Sequence, residues 1–171
     1  MAILVLGLGN TIMTDDGFGV RAVEVLASRY HFQGDVRLLD GGTLGLDLLP
    51  HLEGIEQLLI VDALEMHASS GATFRLEGEE VPRAFASKLS VHQMGVQDLL
   101  AVAELMGHLP QELVVWGVQP ECIEMGTELT AIVAAAIEPV VAGVVRDLQR
   151  WGVGVEPMLR TEVEKSGRRE A

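Results

Sequence analysis

The stretch ILVLGLGNTIMTDDGFGV, residues 3–20, decides the fold. An apolar run ends in Gly7 and Gly9, a polar turn with Asn10, Asp15 and Asp16 follows, and a helical pattern begins near Phe18. That order is a buried strand entering a glycine turn and then a helix. A dinucleotide fingerprint would need a third glycine at position 12, where Ile12 stands. A phosphate binder would also want backbone amides and positive charge, whereas this turn carries two adjacent carboxylates, which favour a cation.

Working outward, residues 36–39 and 58–61 are further short apolar runs, ended by Asp40-Gly41-Gly42-Thr43 and by Asp62-Ala63. Continuous Val, Ile and Leu runs separated by helical patterns predict a mostly parallel sheet covered on both faces. Residues 72–76 read as an edge strand and 113–118 as another, which brings the total to five. The pattern at 17–30 predicts a helix, with Asp15 or Asp16 as its cap. A short helix is expected near Leu44, Leu48 and Leu49, a polar loop over 77–91, and a helix after Gly95. A long apolar stripe over 129–148 should be kinked or divided at Pro139. The expected fold is therefore α/β: a single three-layer domain, residues 1–155, with a twisted five-stranded sheet between helices. Residues 156–171 form a polar tail expected to be frayed or disordered.

The chain has 171 residues, one cysteine and a formal net charge of -13. One domain with a sizeable core fits that length. The acidity argues against nucleic acid and anionic membranes as partners. Cys122 has no disulfide partner within the chain, and the N-terminus lacks a basic, cleavable leader pattern, which points to a cytoplasmic protein. A monomer is the expected state.

In a parallel sheet the residues following each strand gather along one edge, where open α/β folds bind ligands. Asn10, Asp16, Asp40 and Asp62 should meet there. Any one of these aspartates could simply cap a helix, but together they repel each other unless a cation or a shared proton is present. His92, just ahead of a helix, would complete with Asp16 and Asp62 an oxygen-oxygen-nitrogen set suited to nickel or zinc. Cys122, Ser90 and Thr43 lie in no recognisable activating context for a nucleophile.

The motifs GLGNTIMTDDGFGV, LLDGGTLGLDLL, LLIVDA, KLSVHQMG, VWGVQPE and LTAIVAAAIEPV occur in this order over residues 3–148. The series resembles the hydrogenase maturation endopeptidases. That resemblance implies an aspartic-type endopeptidase that trims the C-terminal extension of a [NiFe] hydrogenase large-subunit precursor after nickel insertion. It implies that Asp16, Asp62 and His92 contact the metal, which the substrate presents as nickel, although other divalent metals could occupy the site. Asp40 is implied as a further functional carboxylate. The family usually has Glu where Asp16 stands, so either the loop sits closer to the metal or Asp15 shares the role. Water could be activated by the metal or by Asp40 acting as base. Two other readings are a non-catalytic metal-sensing assembly chaperone and a peptidyl-tRNA-hydrolase-like enzyme. The latter shares the GLGN turn but needs a His-Asn pair absent here.

Overall fold

The computed structural model describes residues 1–86 and 91–159, leaving aside the side chains of residues 91–94. Strand β1 (Ile3–Leu8) leads through a 3-10 turn (Thr14–Gly17) into α1 (Phe18–Arg29), followed by β2 (Tyr30–Phe32) and β3 (Val36–Gly42). A second 3-10 turn (Gly45–Leu48) runs into α2 (Leu49–Leu52), then come β4 (Gln57–Ala63), β5 (Thr73–Glu77), α3 (Glu80–Ala86) and α4 (Val91–Leu105). The chain closes with β6 (Glu112–Val118), α5 (Ala131–Ala134), α6 (Ile137–Arg150) and β7 (Val155–Pro157).

Five strands form the main sheet in the order β3-β1-β4-β6-β5. All pairings are parallel except that of β5, an antiparallel edge strand. The expected α/β sheet and its five strands are present. One face packs Ile3, Val5, Leu59 and Val61 against α1 and α6 residues such as Phe18, Leu26, Val140 and Val144. The other packs Leu4, Leu6, Leu58 and Ile60 against Leu52, Phe85, Val96 and Leu99 from α2, α3 and α4. Every residue of β1 and β4 is buried, as a central strand covered on both faces requires.

Four expectations need correction. Residues 80–86 are helical, because Val81, Ala84 and Phe85 recur at helical spacing and bury themselves, and Pro82 sits in the first turn, where no intrahelical donor is lost. Residues 87–90 of the expected loop lie outside the described residues. The 129–148 stripe is broken at Ala135 and Ala136, before Pro139, and Pro139 falls in the first turn of α6. Neither Asp15 nor Asp16 caps α1, whose N-cap is Gly17 without a side-chain bond. Finally, β3 continues through Gly42, and β2 and β7 pair antiparallel in a small separate sheet.

A polar clamp ties α6 to the β5 edge. Asp147, 2% exposed, takes Arg75 Nε at 3.0 Å, Arg75 Nη2 at 2.9 Å and Trp116 Nε1 at 2.8 Å. The Asp147 carboxylate holds the Arg75 guanidinium above its ordinary pKa. Gly143 lets the Trp116 ring lie directly against the helix backbone, where a Cβ would meet ring carbons.

The approach of α1 to the sheet leaves no room for a side chain at Gly19, whose Cβ would strike the carbonyl oxygens of Val61 and Leu8. Gly19→Ala should therefore destabilise the protein by about 3 kcal/mol, the cost of overpacking against rigid backbone. Urea denaturation would read this as a lower midpoint at unchanged slope.

Candidate active site at the carboxyl edge of the sheet

Glycine at position 9 makes the turn after β1 possible. Its φ is +120°, and a Cβ there would run into the carbonyl of Asp16, so the chain folds back on itself with nothing between. Asn10 tightens the turn by accepting the Ile12 amide on Oδ1 at 3.1 Å, and its own amide donates to Asp16 Oδ2 at 3.0 Å. Asp16 is 4% exposed and belongs to the 3-10 turn that packs on β4. Asp62 is fully buried inside β4, opposite Gly117 of β6, and so precedes the strand end.

Asp40 is placed differently. It pairs with Gly7, which pairs on its other side with Val61, so β1 separates β3 from β4 at this level. Because side chains alternate along a strand, Asp40 shares the face of Val61 and α1, whereas Asp62 shares the face of Ile60 and α4. Asp40 is exposed, and its Oδ1 accepts the Gly42 amide at 2.9 Å across the bulge that ends the β1–β3 pairing. The structure thus joins Asp16 with the strand carrying Asp62 at one edge and sets Asp40 at the rim of that edge.

His92 lies in the first turn of α4, and its side chain is outside the described set. The backbone of that helix start is nonetheless anchored. A Cβ on Gly45 would lie 3.0 Å from Gly95 Cα, so α4 begins in contact with the turn that follows Asp40-Gly41-Gly42-Thr43. Two glycines facing each other permit this approach. Among the described residues no three His, Cys, Asp or Glu side chains form a metal-sized group. The donors available there are the carboxylates of Asp16 and Asp62, hard oxygen ligands that suit a divalent cation when a nitrogen donor joins them.

Asp15, by contrast, faces the other way and has a structural task. Its Oδ2 accepts the amides of Glu121 and Cys122 at 2.9 Å each, and its Oδ1 accepts the Thr130 amide at 2.8 Å, with the Thr130 hydroxyl reaching both oxygens. A carboxylate occupied by three backbone donors and a hydroxyl holds the segment after β6 in place and has little capacity left for a metal.

Sequence reasoning missed Gln119. It is 4% exposed, and its Oε1 accepts the amides of Met66 (2.8 Å) and Ala68 (3.2 Å) while its Nε2 donates to Glu65 Oε2 (2.8 Å). The amide thereby fixes the segment that leaves β4 just beyond Asp62. The bond from Gln119, with a second from the His67 amide, holds Glu65 below the usual carboxylate pKa. The only sequence signal was a polar residue immediately after a strand, which a loop would equally supply.

A model of the hydrogenase maturation protease family matches residues 20–147. The chain belongs to the hydrogenase maturation proteases. The hydrogenase 2 maturation protease of Escherichia coli K12 is 41% identical over 158 residues, covering 92% of this chain and 96% of that protein. The hydrogenase expression/formation protein HupD of Rhodobacter capsulatus is 43% identical over 155 residues, 90% and 74% of the two chains. Among solved structures, the hydrogenase maturating endopeptidase HybD from E. coli superposes with a TM-score of 0.90 at 40% identity, covering 95% of this chain and 99% of that one. This hydrogenase maturation protease is therefore an enzyme of the endopeptidase class, which sets aside the chaperone and tRNA-hydrolase readings. No helix among its described residues is long and apolar enough to cross a membrane.

For the maturation protease, the bonds made by Asp15 and Gln119 set the expected outcomes. Asp15→Asn places an NH2 against backbone donors and should cost about 2 kcal/mol of stability, read by denaturant unfolding. Gln119→Glu sets two carboxylates face to face and should speed hydrogen exchange at the Met66 and Ala68 amides. The double variant Glu65→Gln/Gln119→Glu exchanges donor and acceptor and should restore slow exchange. Because Glu65 is depressed in the folded state, the wild-type clamp should persist above the ordinary glutamate pKa of about 4.3 and be lost as pH falls through the lower folded value.

Proposed function

We propose that this protease removes the C-terminal extension of a [NiFe] hydrogenase large-subunit precursor that already carries nickel, with Asp16, Asp62 and His92 contacting that nickel. The observation that carries the reading is the pair of buried carboxylates, one from the turn after β1 and one inside β4, at the edge where the first turn of α4 also begins. Two anions withdrawn from water repel one another, and a divalent cation arriving with the substrate offsets that repulsion. Cleavage then becomes conditional on metal loading, because only a loaded precursor brings the cation that these carboxylates contact. The substrate class itself is supported by the relatives named for hydrogenase maturation.

Hydrolysis adds water across the scissile amide. The water oxygen bonds to the carbonyl carbon, the C–N bond breaks, and a water proton ends on the leaving amine. Asp40, exposed and steadied by the Gly42 amide, is the carboxylate to which this reading assigns that proton in transit. The shorter Asp16, where the family usually has Glu, is served by a turn held tightly against β4. Asp15, occupied elsewhere, does not share its task.

The experiment is mass spectrometry of a large-subunit precursor incubated with this protein, with and without prior nickel loading. Loss of the extension is expected only in the loaded sample, and equal cleavage of the unloaded precursor would sink metal recognition. Asp16→Ala, Asp62→Ala and His92→Ala should each slow processing by about 100-fold or more. Asp40→Asn should lower kcat by about 100-fold or more if it moves the proton. An unchanged kcat would assign water activation to the metal.

A further inference from the structure

We infer that residues 120–132, together with Ile12, form a preorganised docking surface for the precursor polypeptide, built for an apolar patch flanked by Lys or Arg. This deepens the proposed function and rests on it for the identity of the partner.

The segment between β6 and α5 has no regular secondary structure, yet it is fastened along its length to the turn that carries Asp16. Beyond the Asp15 carboxylate, the Asp15 amide donates to Cys122 O (3.1 Å) and the Thr14 amide to Gly126 O (2.9 Å). The Gly126 amide donates to Ile12 O (3.0 Å), and the Thr14 hydroxyl donates to Glu124 O (2.6 Å). Thr14 takes up a left-handed conformation, φ +54°, to make these bonds.

A loop held this firmly would ordinarily turn its large apolar side chains inward. This one turns them out, Met125 being 87% exposed and Ile123 38%, and beside it Ile12 of the turn after β1 is 54% exposed and Ile132 of α5 49%. Scattered surface apolars are commonplace, but these stand on two segments bonded to one another: Ile12 is four residues from Asp16, Ile123 and Met125 are within three of the Cys122 anchor, and Ile132 is two from the Thr130 anchor. Exposed Glu121, Glu124 and Glu128 alternate with them. An apolar stretch interspersed with carboxylates is complementary to an apolar stretch interspersed with cations, and it repels acidic partners. Because the loop is already ordered, little conformational entropy remains to be lost on binding. The segment is bonded to the turn that carries Asp16, so a polypeptide whose metal reaches that carboxylate comes close to it.

The test uses immobilised nickel-loaded precursor and the full-length protease, with binding and cleavage measured separately. Ile12→Ser/Met125→Ser should weaken binding and raise KM about tenfold, with kcat within about twofold and an unchanged melting temperature. Glu121→Gln/Glu124→Gln/Glu128→Gln should weaken binding at low salt and flatten its dependence on ionic strength. Wild-type affinity and KM in both variants would overturn the docking surface while leaving metal-gated cleavage standing. Weakened binding in the variants, in a system where wild type cleaves regardless of nickel, would uphold the surface and sink the metal reading. If wild-type protease self-associates in sedimentation and the serine variant does not, with precursor affinity unchanged, the patch belongs to a second copy of this chain and the inference falls.

Discussion

The structure depends on a steric constraint: the turn after β1 is folded so tightly that several positions admit no side chain. Gly9 lies against the Asp16 carbonyl, Gly19 against the carbonyls of Val61 and Leu8, and Gly7 against the Gly19 carbonyl. Helix α1 consequently sits as close to β1 and β4 as backbone atoms permit. Asp16 is thereby carried from a loop to a buried position over the sheet. The same economy recurs where Gly45 and Gly95 meet and bring the start of α4 to the loop after β3.

Around that constraint, two neighbouring carboxylates have taken opposite tasks. Asp15 is fully buried and occupied by backbone donors from a segment more than a hundred residues away, so its charge serves the fold. Asp16 is buried beside β4 and accepts the Asn10 amide, and in the reading proposed above its charge serves recognition. Burying both is costly in isolation: Asp15 is met by hydrogen bonds that order the 120–130 segment, while Asp16 accepts the Asn10 amide and, in the same reading, also contacts a cation that the substrate brings. Gln119 does for the segment after Asp62 what Asp15 does for the segment after β6. Polar side chains, more than apolar packing, set the loops around the site.

Much of the fold was legible because buried parallel strands read as unbroken Val, Ile and Leu runs, and α1 and α6 show helical periodicity of their apolar residues. The short helix at residues 80–86 was not, because three apolar positions within seven residues, beside a proline, are too few to establish a period, and only Phe85 and Val81 entering the core reveal it. The break before α6 was misplaced for a related reason: proline is disruptive inside a helix and well tolerated in its first turn, and the sequence does not say where the turn begins.

By itself the sequence determined the α/β class, the place of Asp16, Asp40 and Asp62 at or just after the carboxyl ends of parallel strands and, through six motifs in order, the resemblance to the maturation endopeptidases. These follow from local periodicity, from the directionality of parallel strands and from residue identity, all of which are linear properties. Only the tertiary structure decided which aspartate of the Asp15-Asp16 pair holds the fold, that Asp40 and Asp62 stand on opposite faces of the sheet, and that Gln119 fixes the segment beyond Asp62. Each of those depends on the partner a side chain meets across many residues of chain, and hydrogen bonds between distant segments leave no periodic trace in the sequence.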